Sequence, residues 1–424
     1  MEGTSWIKVK FRGDKTKVGD ISQVIRDQLH AKLYQGKLEQ GDEVCVAVGS
    51  RGIANLDRIV KEVITWLKKE GFKPFIVPAM GSHGGAIAEG QRHVLAEYGI
   101  TEENMGCPIK SSMEVVQIGE TERGNPVYVD KFCSRAQGVI VINRVKPHTL
   151  FSGPVESGLM KMLAIGLGKH KGALTVHKGI IKRGTDSTIL LETSRVIRDT
   201  LNLLFGLAIL ENSYDETAHL EVVQPKDMEG RESELLQQAR RMMPRIPFKY
   251  LDLLIIDEIG KDISGSGADP NVVGRKFGSA SVSEPEVLRL FIRDLTEKTG
   301  GNAIGIGRAD FTTTRLANKI DQKSTYANAI TSMFPVAAKV PIYFDSDREV
   351  LKNALLTMGD VTPQNVKGVW IKNTLRLGEF LITDSLFAEA GQEITLEITG
   401  EEMALRFNSE GNLVRAPFEF ESPK

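Results

Sequence analysis

Cysteine is scarce: Cys45, Cys107 and Cys133 are the only three in 424 residues, and no two form a C-x-x-C pair. That excludes a disulfide framework and a cysteine-based zinc site, and it predicts a reducing cytoplasm. An excess of either charge is also missing. Lys plus Arg number 54 against 55 Asp plus Glu, a net charge of −1. Binding to nucleic acid or a membrane surface through bulk electrostatics is therefore not expected. No apolar run approaches the ~18–20 residues of a membrane helix. The opening Met-Glu-Gly-Thr-Ser-Trp-Ile-Lys has no apolar core of a secretory signal. No repeat with a period of 20–50 residues is evident.

What is present is length and glycine. At roughly 150 residues per domain the chain predicts two or three domains. Its 41 glycines exceed the ~7% average and gather in a few loops. The first is Ser50-Arg51-Gly52, after the strand-like Asp42–Gly49. A helix follows, with Ile59, Val63, Ile64 and Leu67 at helical spacing and Asn55 placed to cap it. After the strand Phe75–Val77 comes Gly81-Ser-His83-Gly-Gly85, leading into a helix near 86–98. A third strand, Gly138–Asn143, ends in Arg144-Val-Lys-Pro-His148-Thr149. This strand–helix–strand order predicts parallel strands with ligands beyond their carboxyl ends. Arg51, His83 and His148 all stand at such ends.

The glycine loops are not nucleotide motifs. Gly166-Leu-Gly168-Lys169-His170 lacks both the earlier glycine and the Ser/Thr of a phosphate loop, and it also fails the dinucleotide spacing. The histidines carry more chemistry. His83 and His148 sit at equivalent strand ends and can exchange protons near neutrality, whereas His30, His93 and His219 read as surface groups. Arg51 suits a bidentate carboxylate clamp, hence an organic-acid ligand. Lys161 lies in an apolar, glycine-flanked run that would favour the neutral amine, although a snorkelling lysine fits the same pattern. Two bases and a clamp suit inversion of a stereocentre. The spacing equally allows His83, His148 and His177 to hold zinc for hydrolysis or aldol chemistry.

Arg51, the GSHGG loop with His83, KPHTLFSG with His148, then Lys161 and His177, resemble the nickel-pincer lactate racemase family. Order and separation both agree: 32 residues from Arg51 to His83, 65 more to His148, and 16 from Lys161 to His177. The resemblance spans residues 40–280. It implies a nickel-pincer nucleotide (pyridinium-3-thioamide-5-thiocarboxylate mononucleotide) joined to Lys161, with His177 as nickel ligand. It implies His83 and His148 as alternating acid and base, and Arg51 on the substrate carboxylate. Asn271 and Arg275 fall where the family places further substrate contacts, Arg275 replacing a lysine. The implied reaction removes the hydroxyl proton and transfers the α-hydrogen as hydride, giving a flat 2-keto acid that is reduced on either face. Val48 stands where lactate-specific members carry an acid, and the His148–Lys161 spacing is longer. A larger 2-hydroxy acid is therefore a candidate, with Glu156, Asn271 and Arg275 as partners for extra hydroxyls.

These readings predict an α/β protein of two domains with mostly parallel sheets and a cleft between them. Residues 1–248 would carry the catalytic histidines, cofactor lysine and nickel ligand. Residues 249–393 would close the cleft, and a β-rich tail, 394–424, would pack back on the N-terminal domain. A polar stretch at 225–248 with Pro244 and Pro247 reads as a hinge. The run Asp310–Arg315 with Asp321 reads as a capped helix start rather than a cleft lid. The expected function is a cytoplasmic 2-hydroxyacid racemase or epimerase, matured by cofactor-synthesis enzymes, with no nucleic-acid or membrane partner. The alternatives are a zinc hydrolase or aldolase and a non-catalytic organic-acid binder.

Overall fold

The structure, a computed structural model, describes residues 3–31, 38–49, 52–182, 187–277 and 284–414. Its strands are β1 Ser5–Phe11, β2 Glu43–Val48, β3 Lys73–Pro78, β4 Val115–Glu120, β5 Pro126–Asp130, β6 Gly138–Arg144, β7 Leu203–Glu211 and β8 Thr217–Val223 in the first part of the chain. The rest are β9 Tyr250–Ile259, β10 Glu286–Leu295, β11 Phe311–Thr313, β12 Ile342–Phe344, β13 Gly368–Ile371, β14 Glu379–Thr383 and β15 Leu396–Ala404.

Two compact units result: Asp14–Met243, and Met1–Gly13 joined with Pro244–Lys424. The boundary falls inside the expected hinge, just after the helix Met228–Met242. The two ends of the chain correct the expected organisation. β1 pairs antiparallel with β14 and with β15, so the first residues and the tail strand complete the second unit's sheet. β1 suits an interior position, since its residues 6–9 are all buried, with Trp6 in one core and Ile7 and Val9 in the other.

In the Asp14–Met243 unit a five-stranded sheet runs β3-β2-β6-β7-β8, parallel except for β7 with β8. Alternate residues feed two cores: Val44, Val46 and Ile140 on one face, Cys45, Ala47 and Val141 on the other. Burial on both faces explains the unbroken apolar runs. The helix Leu56–Lys69 covers the first face with Leu56, Ile59, Val60, Val63, Ile64 and Leu67. Asn55 precedes it, but its amide donates to Thr217 Oγ1 at 3.0 Å and caps nothing. The Glu211 carboxylate instead accepts from Ala54 N at 2.7 Å. Leu159, Met160 and Leu163 cover the second face, which seats Lys161 near the strand ends.

The other unit is built on an eight-stranded mixed sheet, β12-β11-β10-β9-β13-β14-β1-β15, parallel from β12 to β13. Leu254, Ile256 and Ile292 fill one face, Leu253, Ile255, Phe291 and Trp370 the other. Thr313 and Asp321 cap the helices Thr314–Lys319 and Gln322–Thr331, as the polar run predicts. Among the described residues no helix is long and apolar enough to cross a membrane.

Candidate functional site

The chain passes from β2 outward to β3, then returns to β6 on the other side of β2. The carboxyl ends of β2 and β6 therefore flank the point where the winding reverses, the usual ligand position in such sheets. One segment, Gly158–Lys169, lies against all three strand ends. Gly49, after β2, sits so close that a Cβ there would stand 2.8 Å from Met162 Cε. A Cβ on Gly166 would likewise stand 2.7 Å from Ala79 O, just beyond β3. Asn143 of β6 donates from its amide to Gly158 O at 3.1 Å.

That segment is a hairpin with unusual backbone. Leu159–Lys161 is a single α-turn, followed by a π-turn at Met162–Gly166 closed by Leu167 N to Met162 O at 2.9 Å. π-Turns are uncommon and recur at functional sites. Lys169 then adopts φ 52°, a left-handed conformation costing a non-glycine residue about 1 kcal/mol. The helix Lys169–Lys182 follows. Lys161 lies eight residues before this apex and His177 eight after it, and the Lys161 charge is near enough to act on the His177 imidazole. Their electrostatics agree. Burial pushes the His177 imidazole down to about 4, and the Lys161 charge adds to that push. Burial alone pushes the Lys161 amine down to about 8. Neither side chain has a hydrogen-bond or ion-pair partner among the described residues.

The histidine loops are held from beneath by buried polar groups. His83 is exposed on its loop, and the Gln91 amide donates to Gly81 O at 2.8 Å and to His83 O at 3.3 Å. Gln91 Oε1 in turn accepts from Lys169 Nζ at 3.1 Å. His148 stacks on Phe151, centroids 3.9 Å apart at 22°. Its Nδ1 accepts from Leu150 N at 3.1 Å, which assigns the proton of the neutral ring to Nε2. Glu156 is fully buried and accepts from His148 N at 2.6 Å, Gly153 N at 3.3 Å and Arg240 Nη2 at 2.6 Å. Glu156 thus shapes the His148 loop, its carboxylate committed to that backbone and to Arg240. The backbone pair Lys146–Ser157, at 2.8 and 3.1 Å, ties this loop to the start of the Lys161 turn. Buried Glu232, pushed up to about 7 by desolvation, accepts from Met160 N at 2.8 Å and caps that turn.

Arg51 lies outside the described residues. Asn271 and Arg275 belong to the other unit, where local partners occupy them. Asn271 donates from its backbone and its amide to Asp269 Oδ1, both at 2.9 Å. Arg275 donates to Arg308 O at 2.6 Å, Val287 O at 2.7 Å and Leu288 O at 3.1 Å, and it pairs with Asp310 at 2.7 Å.

Among the described residues no three His, Cys, Asp or Glu side chains stand close enough to hold a metal ion. His83, His148 and His177 therefore do not form a zinc triad in this structure. A single neutral imidazole beside an unpartnered amine does fit a group that brings its own donors: the amine can anchor it, and the imidazole supplies one further ligand.

Sequence reasoning passed over Gln91, Lys169 and Glu232. Glu232 left a signal, standing on the apolar stripe of Met228, Leu235, Leu236 and Ala239, where an acid has no reason to be unless something is bonded to it.

Residues 6–188 match the family described as the lactate racemase N-terminal domain. Over those residues the chain is similar to the lactate racemase N-terminal domain. The lactate racemase apoprotein of Thermoanaerobacterium thermosaccharolyticum has a similar fold, with TM-score 0.50 at 12% identity over 83% of this chain and 91% of that one. A Thermotoga maritima protein aligns with TM-score 0.48 at 14% identity, over 85% and 95% of the two chains. No curated protein matches. At such low identity the structural likeness speaks for the α/β fold alone.

Proposed function

We propose that this chain is an isomerase of the lactate racemase family, inverting the C2 centre of a 2-hydroxy acid with a nickel-pincer nucleotide held by Lys161 and His177. The observation that carries the reading is this pair. An amine brought down to about 8 is a usable nucleophile near neutrality, and an imidazole brought down to about 4 keeps its lone pair for a metal. A carboxylate binder without chemistry would need neither. When bound, the group supplies a reversible hydride acceptor based on soft, sulfur-ligated nickel.

The chain's own residues do the rest. His148, with its proton on Nε2, offers a donor to the substrate oxygen, and His83 takes the hydroxyl proton from the other side. Exchange of these roles serves the opposite enantiomer. Arg51 is the carboxylate clamp and Asn271 and Arg275 are further substrate contacts in this proposal, the latter two once released from their local partners. Maturation by cofactor-synthesis enzymes and a cytoplasmic setting belong to the same reading.

The test is intact-mass measurement on protein produced together with cofactor-synthesis enzymes. A covalent adduct is expected, lost in Lys161→Ala; each chain at its own unmodified mass would overturn the proposal. Polarimetry in D2O over a panel of 2-hydroxy acids then identifies the substrate. Inversion without deuterium at C2 supports hydride transfer, and deuterium incorporation excludes it.

A further inference from the structure

Lys169 is completely buried, is not glycine, and still adopts φ 52°. A hairpin apex that needed only this backbone shape would be met by glycine, without strain and without burying an ammonium group. The side chain explains why a lysine stands there. Its Nζ donates to Pro78 O at the end of β3 and to Gln91 Oε1 at 3.1 Å, and lies 3.4 Å from Asp130 Oδ2. Asp130 is itself fixed by Phe132 N at 2.8 Å and Cys133 N at 3.0 Å. Gln91 passes the connection on to Gly81 O and His83 O. One residue thus terminates two structures: the turn that places His177 beside Lys161, and the bond network under the His83 loop.

We infer that Lys169 is a positioning residue that locks the Lys161–His177 hairpin to the loop carrying His83. The inference deepens the proposed function and rests on it for its meaning, because it sets the acid/base histidine against the cofactor-holding pair. Sub-ångström placement of this kind governs rate, and a misplacement of about 1 Å costs about 10²-fold. The lysine contacts neither substrate nor metal in this account.

The experiment uses the full chain without cofactor, labelled with carbon-13 at histidine Cε1. The seven ring signals are assigned by single His→Gln substitutions. Lys169→Met is expected to shift the His83 and His177 signals and leave His93 and His219 in place. Gln91→Glu keeps an acceptor for Lys169 but removes the amide donors to the loop, so it is expected to shift His83 with little change at His177. A purely structural lysine would lower the melting temperature and leave the ring signals of the folded protein unmoved; that result overturns the inference. Should Lys169→Met fail to fold, Gln91→Glu decides alone, and an unshifted His83 signal overturns it. Neither readout uses nickel or substrate, so failure here is distinct from an absent adduct in the mass experiment.

Discussion

Lys161 and Arg275 are both cations in glycine-rich surroundings that residue type alone marks as functional, and the fold treats them in opposite ways. Arg275, in the unit of 1–13 and 244–424, is spent on three backbone carbonyls and Asp310. Lys161, in the unit of 14–243, is desolvated and bonded to nothing described. The contrast extends to the units. In the eight-stranded sheet the buried charges satisfy one another: Arg293 pairs with Asp347 at 2.7 Å and with Asp257, which also accepts from Trp370 Nε1 at 2.7 Å. In the five-stranded unit the buried polar groups Gln91, Glu156 and Glu232 bond mainly to loop and turn backbone, with Lys169 and Arg240 as side-chain partners of the first two. Type and spacing indicate what a residue is able to do; its partners decide whether it remains available to do it.

The largest effect that would sharpen this contrast lies in the sheet network. Asp347→Ala leaves the buried Arg293 guanidinium short of its main partner and removes the acceptor of Leu413 N at 2.8 Å. A loss of about 3–5 kcal/mol is expected for breaking such a pair, seen as a lower melting transition. Labelling of Lys161 by an amine reagent in the folded protein should be unchanged. A stability-neutral Asp347→Ala would show that this network is not what holds its unit.

Substitution at the two cations should then move stability in opposite directions. Lys161 has a folded-state pKa depressed to about 8 by burial, against about 10.4 unfolded. Between those values the unfolded chain holds the proton and the folded chain does not, so stability rises with pH through that window. Below about pH 8 the charged amine stays buried at a standing cost. Lys161→Met should therefore stabilise the cofactor-free protein at pH 7 by about 1–3 kcal/mol, discounted for partial exposure, and the gain should vanish above about pH 10.5. Arg275→Met should lose about 1–2 kcal/mol for its unsatisfied carbonyls. Thermal melts at pH 7 and pH 10.5 check both. A destabilising Lys161→Met would mean the lysine is structural after all.

Much of this was legible in the sequence because its signals were local. Period-3.6 spacing located Leu56–Lys69, β6 read as an unbroken apolar run, and Pro244 marked the boundary between units. The β1–β15 pairing was not legible, because it joins residues nearly four hundred positions apart and neither strand announces its neighbour. For the site, glycine flanks and order singled out Lys161 and His177. Their closeness depends on a left-handed lysine eight residues from each, which no propensity foresees. Gln91 and Lys169 were invisible for the same reason: each is a polar residue whose burial is decided by tertiary packing, and its role follows from that burial.

The smallest expected effect tests the closeness directly. His177 is held down to about 4 first by burial and then by the charge on Lys161. Lys161→Met removes only the second cause. The His177 midpoint, followed by its Cε1 proton signal, should rise by a fraction of a unit and stay well below the ordinary value of about 6.5. The sign for stability follows. A depressed histidine leaves the folded chain binding fewer protons than the unfolded one between about pH 6.5 and 4, so stability falls as pH falls through that range. The loss should be slightly smaller in Lys161→Met, because its folded-state midpoint lies nearer the unfolded one. A midpoint unchanged by Lys161→Met would mean that amine and imidazole do not feel one another. The hairpin would then not unite them, and the pair that sets this region apart from the sheet of Arg275 would dissolve into two unrelated buried groups.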